Sequence, residues 1–201
     1  SEDTQRWYKL NRDGRLAYQW KRKLKIKYGI TPEIYAEMLQ KQNYGCGICG
    51  RDASPRKHLD VDHCHATGRV RGLLCRSCNK AIGLLLDSTT FAENAIQYLA
   101  GNAVYDASIP PNPPDFSSSK RGNILNRYGI TEREYVTFWF DQSGLCGICR
   151  KTCSVHDFLA VDHCHESGKV RGLLCIRCNV ALAKVKDNPK ILAAAISYLS
   201  T

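Results

Sequence analysis

A constant offset of 100 positions relates two stretches of this chain, and it constrains the architecture more than any other feature. Cys46-Gly-Ile-Cys49, Val61-Asp62-His63-Cys64-His65, the run from Gly68 to Cys75 and Cys78-Asn79 all return between Cys146 and Asn179, with Lys169 where the first copy has Arg69. Tyr28-Gly29-Ile30-Thr31 returns as Tyr128-Gly129-Ile130-Thr131, and Tyr98-Leu99 as Tyr198-Leu199. The repeating unit is therefore a whole small domain rather than a short motif. Each unit has roughly 70 to 100 residues, near the lower limit at which a hydrophobic core alone sustains a fold. Units of that size need a staple.

Eleven cysteines offer one. Each copy carries Cys-x-x-Cys, a gap of 25 residues and a second Cys-x-x-Cys, which is four-thiolate zinc spacing. The expected ligands are Cys46, Cys49, Cys75 and Cys78, then Cys146, Cys149, Cys175 and Cys178. A zinc closed on all four sides by sulfur is scaffold, with no position left for a substrate. No signal peptide or long apolar run is visible, so a reducing interior, where thiolates stay available, is the expected setting, with no membrane partner. Ser1 in first place implies that an initiator Met was removed or the chain trimmed. The formal charge is +10. Four thiolates and one dication change it by −2 per site, so the zinc-loaded chain carries about +6 and still favours a polyanion.

Residues 13–27 place Ala17, Trp20 and Leu24 at helical spacing among Arg22, Lys23 and other basic residues, the pattern of a basic amphipathic helix. Thr31 is positioned to cap a second helix that starts at Pro32 and turns Ile34, Tyr35, Met38 and Leu39 inward. In copy two, Thr131 and Glu134 form a capping box ahead of Tyr135, Phe138 and Trp139. Residues 59–74 read as a hairpin with a Thr67-Gly68 turn, followed by a helix from near Cys75. Closing helices are expected around Ala92, Ala95, Ile96 and Leu99, and from Asn188-Pro189 through Leu199. The domains are read as 1–105, with the basic helix and the first copy, and 121–201, with the second. Residues 106–120 are a Pro/Ser-rich, semi-rigid linker.

Beside each closed site stands an open one, made of Asp62, His63, His65 and Asn79, with Asp162, His163, His165 and Asn179 in copy two. Oxygen and imidazole donors prefer a hard cation and water. Strict alternation along a strand would put Asp62 and His63 on opposite faces, so a bulge or strand end is expected there. Cys64 and Cys164 fall outside the zinc spacing and read as small buried hydrophobes. Cys153 has no counterpart in copy one. His58 and His156 do not align with each other and read as surface residues.

Taken together, the zinc cysteines, Asp-His-x-His, Gly-x-Val-Arg-Gly-Leu-Leu-Cys and Cys-Asn resemble the recombination endonuclease VII family, within the wider His-Asn-His (ββα-metal) nucleases. The resemblance covers residues 28–99 and 128–199. It implies an α+β fold of two small zinc-stapled ββα-metal domains related by pseudo-twofold symmetry, with flanking helices. By the same resemblance, Asp62 and Asn79, like Asp162 and Asn179, hold a catalytic divalent cation such as Mg²⁺. His63 and His163 are the general bases that activate water, and His65 and His165 position the scissile phosphate. Two structural Zn²⁺ and two catalytic Mg²⁺ are thus the expected cofactors, double-stranded DNA the partner, and the interior of a bacterial or phage-infected cell the location.

Two active sites in one chain are expected to cut both strands as a monomeric pseudo-dimer. Restriction-type cleavage at a defined duplex sequence is the favoured setting, and resolution of branched junctions is the alternative. A tandem zinc module that binds DNA, RNA or protein without cutting remains a third reading. Arg69, Arg71, Arg76, Lys80, Lys169, Arg171 and Arg177 are expected on the phosphate backbone, although Arg71 and Arg171 fit a structural role in the hairpin as well. Arg51, Arg56, Lys57 and Lys151 lie where the copies differ most and are expected to read bases. Arg22 and Lys23 add charge from the first helix.

Overall fold

A computed structural model describes residues 2–52, 58–105, 112–114, 116, 125–152 and 158–200, with side chains from residue 14 onward. Most of the linker, with Arg56, Lys57, Cys153 and His156, lies outside the described residues. The chain divides into two compact units, Ser1–Arg76 and Ser77–Thr201, and the division falls within the third helix. Among the described residues, no helix is long and apolar enough to cross a membrane.

The first unit holds α1 (Glu2–Tyr28), α2 (Pro32–Lys41), β1 (Asp60–His63) and β2 (Val70–Leu74). α1 starts at Glu2, well before the expected position. It ends at Gly29, whose φ of 67° a side chain would resist. Gly29 N–H donates to Lys25 O, and Ile30 N–H to Leu24 O, which pairs two carbonyls of the last turns. Thr31 then caps α2 as expected, accepting from Ile34 N. Tyr35 is the buried residue of α2, and Trp20 meets its ring edge-on at 5.3 Å. Ile34, expected inside, is exposed, so the apolar face is narrower than the sequence suggests. His58 is at the surface, where its ring stacks on Trp20.

β1 and β2 form the expected antiparallel hairpin. The outer edge of β2 would otherwise leave peptide groups unpaired. A side chain fills the gap: the Gln42 amide donates to Leu73 O at 2.7 Å and accepts from Leu73 N–H at 2.8 Å.

The second unit holds α3 (Arg76–Leu84) from its second residue, α4 (Thr89–Leu99), α5 (Glu132–Asp141), β3 (Ala160–His163), β4 (Val170–Leu174), α6 (Ile176–Lys184) and α7 (Pro189–Leu199). Ser88 and Asn188 cap α4 and α7, and Thr131 and Glu134 form the expected capping box. α4 of copy one packs along α7 of copy two. Ala92, Ala95 and Tyr98 thereby join the core that also contains Trp139, Ile148, Leu159, Leu173, Leu174, Leu182 and Leu192. In this unit Gln142 repeats the role of Gln42, donating to Leu145 O and Leu173 O and accepting from Leu173 N–H. It is 2% exposed. Gln142→Ala strands the buried Leu173 N–H and removes one donor from Leu173 O, which keeps Gly147 N–H, so we expect a loss of about 1 to 3 kcal/mol, measured as a lower urea midpoint at unchanged slope. An unchanged midpoint would show that water replaces the amide.

Candidate metal and nuclease site

In each copy Cys-x-x-Cys forms a tight turn against the hairpin. Gly50 N–H donates to Cys46 O and Gly47 N–H to Leu73 O; Arg150 N–H to Cys146 O and Gly147 N–H to Leu173 O repeat the arrangement. The other two ligands sit at a helix start, and the Cys175 sulfur caps α6 by accepting from Cys178 N–H. The four sulfurs of each set lie within 4.8 Å of one another. A tetrahedral zinc with bonds of about 2.3 Å sets its sulfurs about 3.8 Å apart. Cys49 and Cys75 are 3.8 Å apart and Cys149 and Cys175 are 3.9 Å apart, far longer than a disulfide bond.

The donor set therefore fits zinc in both copies, and in copy two the electrostatics point the same way. Hydrogen bonds from Cys146 and its neighbours lower the Cys149 thiol and bring Cys175 to about 6, while bonding to Cys149 and the adjacent sulfurs raises Cys146. Thiols at that spacing cannot all ionise unless a cation sits among them.

The hairpins carry the second constellation. Asp62 pairs with Gly72 and His63 with Val70, so Arg71 is the extra residue of a β-bulge at the step where one was expected. Asp162, Gly172, His163 and Val170 repeat the irregularity around Arg171. The bulge residue is put to use: Arg71 Nε donates to Asp62 Oδ2 at 2.6 Å and its Nη2 to Oδ1 at 3.0 Å. Arg171 holds Asp162 with the same distances. Both aspartates are 1% exposed, a burial that a carboxylate tolerates only when paired. Of the two readings open for Arg71 and Arg171, this contact favours the structural one.

His63 lies less buried than Asp62. Its ring is 5.5 Å from Tyr28 and 5.1 Å from His65, and His163 sits likewise at 5.2 Å from Tyr128 and 4.9 Å from His165. The paired histidines of each copy thus lie side by side, half-buried His63 and His163 next to exposed His65 and His165. In copy two, His165 Nδ1 is 2.8 Å from Asp187 Oδ2, which also accepts from Arg171 Nη2 at 3.1 Å. A carboxylate only accepts, so Nδ1 carries the proton in this contact. A cavity of about 490 Å³ opens here, lined by Cys164, His165, Glu166, Arg171, Lys186 and Asp187.

Asp187 was not singled out in the sequence, although it recurs with Asp87 at the repeat offset and both adopt positive φ, 52° and 53°. Tyr98 stands out in the sequence only as a marker of the repeat, with no chemistry assigned. Its hydroxyl donates to Asp162 Oδ2 at 3.0 Å. Burial first, and then the Asp162 charge, raise the phenol well above its usual range, so it stays a donor.

Asn79 and Asn179 are half-buried on α3 and α6, one residue beyond the last zinc cysteine. Arg51, Arg69, Arg76, Lys80, Lys151, Lys169, Arg22 and Lys23 are exposed, and Arg177 is half-buried. Cys64 and Cys164 are half-buried rather than buried. The Thr67 and Ser167 hydroxyls, followed by nearby backbone N–H groups, lower their thiols.

Residues 21–101 and 121–201 each match the recombination endonuclease VII family. The Gene 59 protein of Mycobacterium phage L5 is 42% identical over 89 residues, which are 44% of this chain and 54% of that protein. The Gene 59 protein of Mycobacterium phage D29 is 44% identical over 86 residues, 42% of this chain and 52% of that protein. The chain spans about half the length of these curated relatives. No solved structure matches it. Two family matches that leave only residues 1–20 and 102–120 uncovered, each containing a four-sulfur cluster beside an Asp-His-x-His hairpin, place the chain in the recombination endonuclease VII family, as two tandem copies.

Proposed function

We propose that this chain is a metal-dependent DNA endonuclease of the ββα-metal type with one active site in each copy. The observation that carries the reading is that Asp, both His and Asn recur intact on two zinc-spaced hairpins. A module kept only for binding has no need to retain all four side chains twice.

The donor chemistry of copy two fits a hard divalent cation. Asp162 and Asn179 offer oxygens, and the Asp162 carboxylate, with three donors on roughly four lone-pair sites, keeps one for a metal. Bound there, and at Asp62 and Asn79, Mg²⁺ supplies charge to stabilise the phosphorane and the departing 3′-oxygen. His63 and His163 each accept a proton from water at an imidazole nitrogen as its oxygen attacks phosphorus. As the phosphorus–oxygen bond to the 3′-oxygen breaks, that oxygen takes up a proton from solvent. His165, oriented through Nδ1 by Asp187, positions the phosphate from the rim of the cavity by donating from Nε2–H when the ring carries both protons. Arg69, Arg76, Lys80, Lys169 and Arg177 contact the backbone beside the site, and Arg51 and Lys151 reach base edges from the region in which the copies diverge.

Two sites on one chain suit cleavage of both strands of a duplex by a monomer, at a defined sequence. Branched DNA is a second reading, favoured by the 27-residue basic helix α1, long enough to follow a second arm. Incubation with Mg²⁺, a long mixed-sequence duplex and a four-way junction, followed by sequencing of the ends, separates the two. We expect ends at one recurrent sequence in the duplex. Symmetric nicks confined to the junction would replace that reading with junction resolution, and tight binding without Mg²⁺-dependent ends would defeat the nuclease.

A further inference from the structure

We propose that Tyr98, on the closing helix of copy one, is a positioning residue for the active site of copy two, whose metal-binding carboxylate is held in place by the other copy. The proposal rests on the reading of Asp162 as a ligand of the catalytic cation.

Several independent features of the second unit converge on this tyrosine. Its hydroxyl donates to Asp162 Oδ2, the oxygen that Arg171 Nε also reaches. Both residues are buried, Tyr98 at 4% and Asp162 at 1% exposure. The pocket is shaped for the ring. A Cβ on Gly147 would come within 2.7 Å of Tyr98 Cε2, and one on Gly172 within 2.6 Å of Gln142 Oε1 and 3.2 Å of the Tyr98 hydroxyl. Gly147 lies in the zinc turn and Gly172 on β4, so the metal turn and the hairpin both give way to one side chain. The same helix is pinned one turn earlier, where Asn94 Nδ2 donates to Ile148 O at 2.9 Å.

Packing alone would be served by phenylalanine, which fills nearly the same volume. The hydroxyl adds only its hydrogen bond, and that bond ends on the carboxylate. With Arg171 gripping from one side and Tyr98 from another, the carboxylate cannot swing, and its remaining lone pair stays aimed at one point. Partners of this kind, one shell out from a metal, are worth on the order of 10 to 100-fold in affinity or activity.

The test uses Tyr98→Phe in the full chain. In a His63→Ala background, where only copy two can cut, we expect the Mg²⁺ concentration for half-maximal nicking to rise about tenfold or more when Tyr98→Phe is added. In a His163→Ala background, where only copy one cuts, we expect no shift. Mn²⁺ titration followed by electron paramagnetic resonance reads the same sites without turnover, and one of two sites should weaken in the Tyr98→Phe protein. Unchanged zinc content confirms that the scaffold is intact. Equal shifts in both backgrounds, or none in either with both Mn²⁺ sites unaltered, overturn the positioning role. Parents that never cut, combined with one weakened Mn²⁺ site, defeat the endonuclease reading and leave the positioning role standing; no Mn²⁺ binding at all sinks both.

Discussion

Serine in place of Cys175 is expected to unfold the second unit, not merely to loosen it. The Cys175 sulfur takes part in the four-sulfur set and caps α6, and Cys146, Cys149 and Cys178 belong to the main apolar core. Structural zinc contributes on the order of 10 kcal/mol of folding free energy in small domains, against a total stability of about 5 to 15 kcal/mol. Removing one ligand also leaves the remaining thiols facing one another in a buried pocket. Cysteine coordination needs thiolates, so acid should release the metal as protons compete for sulfur, and strong chelators should do the same at neutral pH. The measurement is zinc content together with far-ultraviolet circular dichroism for the wild type and Cys175→Ser. A variant that holds two zinc ions and keeps its helical signal would show that these cysteines are not ligands.

Replacing both His63 and His163 by alanine should abolish cleavage and leave DNA binding intact. Positioned general bases contribute roughly 10² to 10⁴ in rate, and losing both removes the proton acceptor from each site. The fold should tolerate the change. Neither ring belongs to the buried core, and each makes an aromatic contact, with Tyr28 or Tyr128, worth about 0.5 to 1.5 kcal/mol. Single variants should turn a double-strand cut into a nick on one strand, which supercoiled plasmid resolves directly as open circle against linear product. Double-strand cleavage persisting in the double variant would rule out these residues as the bases.

What could be read in the sequence was whatever nearby residues decide. The Thr131–Glu134 capping box, Asn188 ahead of Pro189, the hairpin turn and the zinc pairs all act over a few residues or by fixed spacing, and the structure has each of them. The bulge was legible too, since alternation alone could not accommodate Asp62 beside His63. The residues whose roles escaped notice work across long separations. Gln142 reaches Leu173 from 31 positions away, Asp187 reaches His165 from 22, and Tyr98 reaches Asp162 from 64. A polar side chain that pairs once with a distant partner leaves no periodic trace. Ile34 erred in the opposite direction, because periodicity marks a possible apolar face and only the neighbouring elements determine how much of it is covered.

The packing of α4 against α7 also bears on how such a chain can change over generations. Once the closing helix of the first copy had become part of the wall around the second, the duplication became hard to reverse. A deletion that trimmed the gene back to its latter half would leave that half with an open notch at Gly147 and Gly172 where a ring belongs. Surface residues such as Arg51 and Lys151 are free to drift apart and acquire different preferences. The tyrosine and the two glycines that make room for it are tied to one another, and a change at any of them must be answered in the other repeat.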